Sequence, residues 1–342
     1  MAKTMKAAVI REFGKPLSLE EMAAPEPGPG QALLRVVATG VCHTDLHAMD
    51  GDWQVLPKLP LVPGHEAVGY VAALGPGTSG LKEGDRAGVF WLNHTCGACE
   101  YCLSGREMIC AQQLNTGFGI NGSYADYVLV DARFAVPLPP EADFVATAPI
   151  LCAGVTTYKG LKDTGARPGQ WVAVIGVGGL GHLAVQYAVA MGLRVVALDV
   201  AEPKLTLARD LGAELAVNGA DKEAIRALRK TTGGGVHGAL VTAPALPAFN
   251  QGIGALRRGG TCVINGLPEG EFPVAVVGFV LKGLTVKGSI VGSRQDLREA
   301  LEFMANGRVK ATVEPAPFAQ VNAVLKRLRE GNVRGRAVLT LE

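Results

Sequence analysis

The chain has 342 residues, of which 48% are hydrophobic and 6% aromatic, with 45 glycines and a formal net charge of +2. This length allows a large buried core and is more typical of two domains than of one. Because the charge is nearly balanced, no global electrostatic field favours nucleic acid or a membrane surface as the partner.

The N-terminal stretch MAKTMKAAVIREFG contains an apolar run too short for a signal peptide, so we expect a cytoplasmic protein. Strand-like runs separated by proline and glycine then fill roughly the first 140 residues, which predicts a mainly β domain. These runs are ALLRVVATGVC, AVGYVAALG, DRAGVFW and YADYVLV.

After PLPPEAD, strand-like runs alternate with helical segments, a pattern that predicts βαβ units, a parallel sheet and an α/β fold. The strand-like runs are WVAVIG, RVVALDV, HGALVTA, TCVINGL and LTVKGSI. The helical segments are EPKLTLARDLG and KEAIRALRK. The remainder, from DLREALEFMANG to GRAVLTLE, predicts a helix, a loop, a second helix and a last strand.

The uncharged stretch WVAVIGVGGLGHLAVQYAVAMGL is 23 residues long, enough for a bilayer helix, but it divides into a strand, a glycine-rich turn and a helix. Gly176, Gly178 and Gly181 in the turn fit the dinucleotide-binding pattern G-x-G-x-x-G. Asp199 lies 18 residues beyond Gly181, where a carboxylate can bind both ribose hydroxyls. Its charge would repel a 2′-phosphate, so we expect NAD rather than NADP.

Four cysteines with the spacing C-x2-C-x2-C-x7-C lie in one segment: Cys96, Cys99, Cys102 and Cys110. Such short spacings let the thiolates converge on one ion, whereas disulfides between such close neighbours would be strained. Bacterial iron–sulfur motifs end C-x3-C-P, and this one does not. Four thiolates leave no open coordination position, so the spacing predicts a structural zinc site.

Residues distant in the chain offer a second metal site. Cys42 and His65 are potential ligands among small residues, and a catalytic zinc ion needs three protein ligands with one position open. Either Cys152 or Cys262 could be the third. Cys262 lies in an apolar strand, where a buried inert thiol is expected, so the residues favour Cys152 without deciding the choice.

These motifs together resemble the zinc-dependent medium-chain alcohol dehydrogenases, close to their bacterial and yeast ethanol-oxidising branch. The resemblance runs from about Met5 to the end of the chain and is carried by GVCHTDLH, PGHEAVG, WLNHTCGACEYCLSGREMIC, LCAGVTTY, GVGGLG and VGSRQDLREAL. It implies a GroES-like catalytic domain formed by residues 1–152 and 292–342, with a zinc lobe at about 93–112, and a Rossmann NAD-binding domain at 153–291. It also implies a homotetramer that acts on a small alcohol or aldehyde, with neither nucleic acid nor membrane as partner.

The resemblance also assigns two zinc ions per chain. Cys42, His65 and Cys152 correspond to the ligands of the catalytic zinc, and Glu66 corresponds to a nearby carboxylate that can enter its coordination sphere. The four clustered cysteines correspond to the ligands of the structural zinc.

The implied reaction is reversible hydride transfer from a primary or small secondary alcohol to NAD, which yields an aldehyde or ketone. Bound zinc would lower the pKa of the alcohol. Thr44 corresponds to the hydroxyl that accepts the alcohol proton, and His47 to the imidazole that carries it to solvent. Asp45 corresponds to a carboxylate that orients His65.

Other positions correspond to substrate and cofactor contacts. Trp53 and Trp91 match aromatic residues that narrow the alcohol pocket, which favours short primary alcohols, although Leu267 replaces the methionine of the yeast enzymes. His43 stands where many relatives have an arginine on the cofactor pyrophosphate. The implied cofactor contacts are His43, Gly176, Gly178, Gly179, Leu180, Gly181, Asp199, Lys204, Leu267, Ser289, Val291 and Arg336.

Several rival functions are each disfavoured by one feature. Polyol dehydrogenases usually have a carboxylate at the place of Cys152, cinnamyl-type enzymes generally use NADP and lack an acid at Asp199, and quinone reductases lack zinc. A zinc-stabilised NAD sensor without turnover would not need Thr44 and His47 beside an open zinc position.

Overall fold

The computed structural model describes residues 4–341. Its strands are β1 (Thr4–Val9), β2 (Ser18–Ala23), β3 (Gln31–Gly40), β4 (Ala67–Leu74), β5 (Arg86–Val89), β6 (Leu92–His94), β7 (Leu114–Asn115), β8 (Tyr127–Asp131), β9 (Val136–Pro137), β10 (Trp171–Ile175), β11 (Arg194–Asp199), β12 (Leu215–Asn218), β13 (Val236–Val241), β14 (Leu256–Ile264), β15 (Thr285–Gly288), β16 (Val313–Pro317) and β17 (Arg336–Thr340).

The α-helices are α1 (His43–Asp50), α2 (Glu100–Leu103), α3 (Phe144–Thr147), α4 (Ala153–Asp163), α5 (Gly181–Ala190), α6 (Glu202–Asp210), α7 (Ala224–Thr231), α8 (Leu246–Ala255), α9 (Val276–Lys282), α10 (Arg294–Ala305) and α11 (Val321–Arg329). Short 3-10 helices lie at Glu107–Ile109, Ala148–Leu151 and Phe318–Gln320. Throughout residues 4–341, every helix is too short or too polar to cross a bilayer.

Internal contacts divide the chain into two compact units. One takes the described residues up to Cys152, together with Ser293–Leu301 and those from Ala311 onward. The other consists of Ala153–Gly292 and Glu302–Lys310. The division predicted from the resemblance differs at Gly292 and at Glu302–Lys310, which it assigns to the catalytic domain.

The first unit contains a seven-stranded sheet in the order β16-β17-β3-β4-β5-β9, with β8 also paired to β3. The C-terminal strand β17 runs antiparallel to β3, with Val338 opposite Gly40. Strand β16 lies at the sheet edge within a segment that we predicted as a loop, and that prediction is wrong. Its two prolines obscure the strand in the sequence, and an edge position tolerates them because the outer side forms no ladder hydrogen bonds.

The second unit contains a six-stranded sheet in the order β12-β11-β10-β13-β14-β15, with every pairing parallel. All five residues of β10 are buried, as expected for a central strand covered on both faces. The strand order reverses between β10 and β13, and such switch points are where open parallel sheets bind ligands. The predicted parallel sheet and α/β fold are confirmed.

Candidate active site and metal centres

A short helix after β3 supports one side of the predicted catalytic site. Helix α1 follows Cys42, whose backbone N–H donates to the carboxylate of Asp45 at 2.8 Å, and the helix ends at Gly51 with φ +67°. Glycine suits this left-handed position because it has no Cβ. The helix was not predicted, since a buried aspartate interrupts its apolar face.

Three predicted zinc ligands converge in the first unit. The sulfur atoms of Cys42 and Cys152 are 3.9 Å apart, and Nε2 of His65 lies 3.3 Å from the Cys152 sulfur. Tetrahedral zinc with Zn–S distances of about 2.3 Å requires sulfur atoms about 3.8 Å apart, so the spacing fits one ion. A hydrogen bond from the Cys152 thiol lowers the pKa of Cys42, which favours the thiolate that a metal ligand needs.

The other candidate thiol, Cys262, lies in β14 of the second unit and belongs to a hydrophobic core cluster. Burial raises the pKa of Cys262 to about 12, so this thiol stays protonated and unreactive. The choice that the sequence left open is therefore decided by position, because Cys152 and not Cys262 lies beside Cys42 and His65.

Hydrogen bonds orient the His65 ring. Its Nδ1 lies 3.1 Å from Oδ1 of Asp45, which leaves Nε2 toward the cysteine sulfurs. The hydroxyl of Tyr124 donates to Oδ2 of the same carboxylate at 2.8 Å. Tyr124 was not predicted, since 79 positions separate it from Asp45 and no motif links the two residues.

A fourth group completes this buried cluster. One ligand atom each from Cys42, His65, Glu66 and Cys152 lies within 4.8 Å of the others. Arg336 donates a hydrogen bond to Oε1 of Glu66, while Oε2 has no hydrogen-bond partner among the described residues. Burial raises the pKa of Glu66 to about 8, against the opposing effect of Arg336. A carboxylate and two thiols so deeply buried need a cation to be ionised together, so the donor set fits zinc.

The four clustered cysteines form a second donor set. Sulfur–sulfur distances are 3.9 Å for Cys96–Cys102, 3.5 Å for Cys99–Cys102 and 3.6 Å for Cys96–Cys110. Hydrogen bonds led by that from the backbone N–H of Ala98 lower the pKa of Cys96 to about 6. These separations match a tetrahedral tetrathiolate shell, which leaves no position open for a substrate.

The glycine-rich turn lies at the switch point of the second unit's sheet. Gly176 directly follows β10 with φ +93°, and Gly181 opens α5, where a Cβ would lie 1.8 Å from the Gly176 carbonyl oxygen. A Cβ on Gly178 would meet nothing within 4 Å, so its backbone is open to a ligand. A tight turn, an open backbone and close packing are the three functions of glycine in a pyrophosphate-binding turn.

Asp199 ends β11, the strand beside β10. Its carboxylate accepts hydrogen bonds from the backbone N–H of Val177 at 2.7 Å and of Ala201 at 3.1 Å, and Nζ of Lys204 lies 3.9 Å away. An ionised carboxylate has about four acceptor sites, so these bonds fix its orientation and leave capacity for two ribose hydroxyls.

The other residues predicted to contact the cofactor differ in exposure, hydrogen bonding and backbone conformation. Their contacts with the cofactor stay predictions. The Ser289 hydroxyl donates to Asp163 at 2.9 Å, and Leu267 is 54% exposed. Val291 is buried with φ +36°, a strained conformation for a β-branched residue. His43 is exposed, whereas Arg336 is buried against Glu66.

The aromatic residues predicted for the alcohol pocket lie in a chain of ring contacts that begins at His65. The His65 and Trp91 rings make an edge-to-face contact, with their centroids 5.3 Å apart. Phe118 contacts both tryptophans, at 5.2 Å from Trp53 and 5.9 Å from Trp91. Phe118 was not predicted from the sequence, because it lies in none of the motifs that indicate the metal or cofactor sites.

The predicted proton-transfer residues lie on α1. The Thr44 hydroxyl is 3.7 Å from the Cys42 sulfur. His47 stacks on Trp53 at 5.1 Å, and its Nδ1 lies 2.9 and 3.0 Å from the two carboxylate oxygens of Asp52. Asp52 was also not predicted; it sets which ring nitrogen of His47 is available for a proton.

Comparisons with known proteins cover nearly the whole chain and point to one family. The family profile "Alcohol dehydrogenase GroES-like domain" matches residues 28–140, and "Zinc-binding dehydrogenase" matches residues 179–306. An alcohol dehydrogenase from a Moraxella species is 51% identical over 98% of this chain and 99% of its own length. One from Rhizobium meliloti is 53% identical over 99% of each. The solved alcohol dehydrogenase of the archaeon Aeropyrum pernix superposes with a TM-score of 0.91 at 35% identity, covering 98% of this chain and 100% of its own.

Proposed function

The chain belongs to the zinc-dependent medium-chain alcohol dehydrogenases, and from this premise we propose that it transfers hydride reversibly from a short primary or small secondary alcohol to NAD. The observation that carries the proposal is the buried convergence of Cys42, His65 and Cys152. With Glu66 paired to Arg336, the three remaining ligands leave one coordination position for a substrate, whereas the tetrathiolate set is closed. The second unit contributes a pyrophosphate-binding turn and Asp199.

The side chains around the open coordination position have separate roles in the proposed reaction. Cys42, His65 and Cys152 would hold the catalytic zinc, which when bound polarises the alcohol oxygen as a Lewis acid. The Thr44 hydroxyl is the first acceptor of the alcohol proton, and His47 releases that proton to solvent. Asp52 holds the His47 ring by its Nδ1, so Nε2 is the nitrogen that receives the proton.

Aromatic side chains near His65 support the proposed substrate class. Trp53, Phe118 and Trp91 form a continuous aromatic wall that starts at the His65 ring. Bulky rings beside the reacting position leave space for a short carbon chain, so small alcohols are the proposed substrates.

Initial rates of NADH formation with ethanol, sorbitol and benzyl alcohol test the proposal directly. We expect kcat/KM to be highest for ethanol, because the aromatic wall excludes the larger substrates. Preference for sorbitol would indicate a polyol dehydrogenase, and preference for benzyl alcohol an aromatic-alcohol enzyme. NADH binding without turnover of any alcohol or aldehyde would support a sensor and contradict the proposal.

The coenzyme preference depends on Asp199. We expect Asp199→Ser to raise the KM for NAD by about 10- to 100-fold, since a charge-assisted hydrogen bond contributes about 1.5–3 kcal/mol. The KM for NADP should rise less or fall, because the repulsive carboxylate is removed. Steady-state kinetics with both coenzymes measure the change in their kcat/KM ratio. Asp210→Ser removes an exposed aspartate of the same unit and serves as control; an unaltered ratio in Asp199→Ser would contradict the assignment.

We also propose that the enzyme is a cytoplasmic homotetramer. The cytoplasmic location rests on clustered cysteines used as metal ligands, a use typical of a reducing compartment. Self-association is supported by two features of the second unit. Helix α9 exposes four apolar side chains at 68–71%: Val276, Val277, Val280 and Leu281. Strand β15 lies at the open edge of the parallel sheet. Exposed apolar patches and open sheet edges favour pairing with another chain.

The oligomer proposal predicts the effect of a charge on α9. We expect Val280→Glu to reduce the molecular mass in solution, since a carboxylate would have to be desolvated in the interface. Light scattering after size-exclusion chromatography measures the mass. Val200→Glu alters a valine of similar exposure, 68% against 70%, in another part of the same unit and should leave the mass unchanged. An unchanged mass for Val280→Glu would remove α9 from the interface.

A further inference from the structure

We propose that Tyr124 is a positioning residue of the catalytic metal site, which acts through Asp45 on the ligand His65. The inference rests on the proposed function, because it assumes that His65 holds the catalytic ion. Tyr124 is completely buried, and its hydroxyl donates to Oδ2 of Asp45 at 2.8 Å. Neither the zinc-ligand motifs nor the cofactor turn includes this residue.

The Asp45 carboxylate receives hydrogen bonds from both sides. Oδ2 accepts the backbone N–H of Cys42 and the hydroxyl of Tyr124, each at 2.8 Å, and Oδ1 faces Nδ1 of His65 at 3.1 Å. The carboxylate therefore connects two proposed ligands, the backbone of one and the ring of the other. Without the Tyr124 hydroxyl, Oδ2 would keep a single donor and the plane of the carboxylate would be less restrained. Hydrogen bonds in a buried network strengthen one another, so loss of one bond weakens the others.

The position of the Tyr124 hydroxyl is fixed by the segment that carries His65. The backbone N–H of Tyr124 donates to the carbonyl of Pro63 at 2.9 Å, and its carbonyl accepts from Ala8 at 2.8 Å. Its ring packs on Gly64, where an added Cβ would lie 2.4 Å from a ring carbon. Gly64 has φ +95° and directly precedes His65. The phenol is thus held in a rigid place relative to the loop that it helps to orient.

The Tyr124 hydroxyl is always the donor in its hydrogen bond with Asp45. Burial, followed by the charge of Asp45, raises the pKa of Tyr124 well above its ordinary value. The phenol therefore stays protonated and can only donate to the carboxylate. A carboxylate held in this way orients a metal-bound imidazole, and loss of such a partner typically weakens metal binding about 10- to 100-fold.

The test compares Tyr124→Phe with the parent enzyme, both loaded with zinc or with cobalt(II). Phenylalanine preserves the ring packing and removes only the hydroxyl. We expect the zinc of the proposed catalytic site to pass to a chelator about 10- to 100-fold faster, and the visible absorption of cobalt at that site to change. The tetrathiolate ion should be released at the parent rate. Tyr187→Phe, an equally buried tyrosine of the second unit, is the matched control and should match the parent in both measurements.

A double-mutant cycle decides whether Tyr124 acts through Asp45. In an Asp45→Asn background, Tyr124→Phe should change the release rate less than about twofold, because the shared carboxylate is already gone. A full effect in that background, or none in the parent, would overturn the role assigned to Tyr124. Failure of the parent enzyme to hold any ion at Cys42, His65 and Cys152 would instead overturn the proposed function, so the two failures are distinguishable.

Discussion

The Cys152→Ser variant should lose alcohol oxidation by roughly a thousandfold or more in kcat/KM. A Lewis-acid metal contributes several kcal/mol to the transition state, and each 1.4 kcal/mol or so corresponds to a tenfold change in rate. Cys152 lies 3.9 Å from the Cys42 sulfur and 3.3 Å from Nε2 of His65, at the centre of the donor set. Serine is a poor zinc ligand at neutral pH, so the remaining side chains would not hold the ion firmly.

Metal analysis, NADH titration and kinetics together check this result. The variant should retain one zinc ion per chain, in the tetrathiolate set, and should bind NADH like the parent, because the glycine turn and Asp199 belong to the other unit. Cys262→Ala is the matched control, since it also removes a buried thiol but lies in a core cluster of the second unit. Two zinc ions and parental turnover in Cys152→Ser would show that the catalytic site lies elsewhere.

The Cys110→Ser variant should lose stability rather than chemistry. The segment from Cys96 to Cys110 has one four-residue helix and one 3-10 turn, and Leu103 within it is 75% exposed. Only Met108 and Cys110 among its apolar residues are buried, so the segment would depend on a bound metal ion rather than on a hydrophobic core for its folding energy. Loss of several kcal/mol in a protein of this size corresponds to a decrease of about 10 °C in the unfolding temperature.

Thermal unfolding followed by circular dichroism, together with zinc analysis, tests this prediction. The variant should contain one zinc ion per chain and still oxidise alcohol at low temperature, because Cys42, His65 and Cys152 are unchanged. Ser104→Ala removes an exposed polar group from the same segment and should keep both ions and the parental unfolding temperature. If Cys110→Ser kept its ion and its unfolding temperature, the structural role of the tetrathiolate set would be disproved.

Features defined by local spacing could be predicted from the sequence. The parallel strands of the second unit follow from alternation of apolar runs and helices, and the cofactor turn follows from Gly176, Gly178 and Gly181 beside a strand. The tetrathiolate set is similar, because all four sulfurs come from one short segment. In each case neighbouring residues determine the geometry, so the pattern of residue types carries the information.

Helix α1 and strand β16 could not be predicted from local spacing. In α1 a buried aspartate replaces an apolar residue, and in β16 two prolines occupy an edge strand, so neither has the expected pattern. Both become stable through tertiary contacts: Asp45 is satisfied by Cys42, His65 and Tyr124, and β16 pairs with β17. Local propensity could not reveal either partner.

The sequence by itself therefore determined the fold class, the glycine-rich turn and the set of side chains proposed to bind metal. Only the tertiary structure decided which of those side chains meet. It brings Cys42 beside Cys152 across 110 positions and Arg336 onto Glu66 across 270, and it adds Tyr124 to the network around His65. The physical reason is that a buried site is assembled by packing of sheet, helix and loop, and the proximity of residues so distant in the chain depends on all the contacts that form the core.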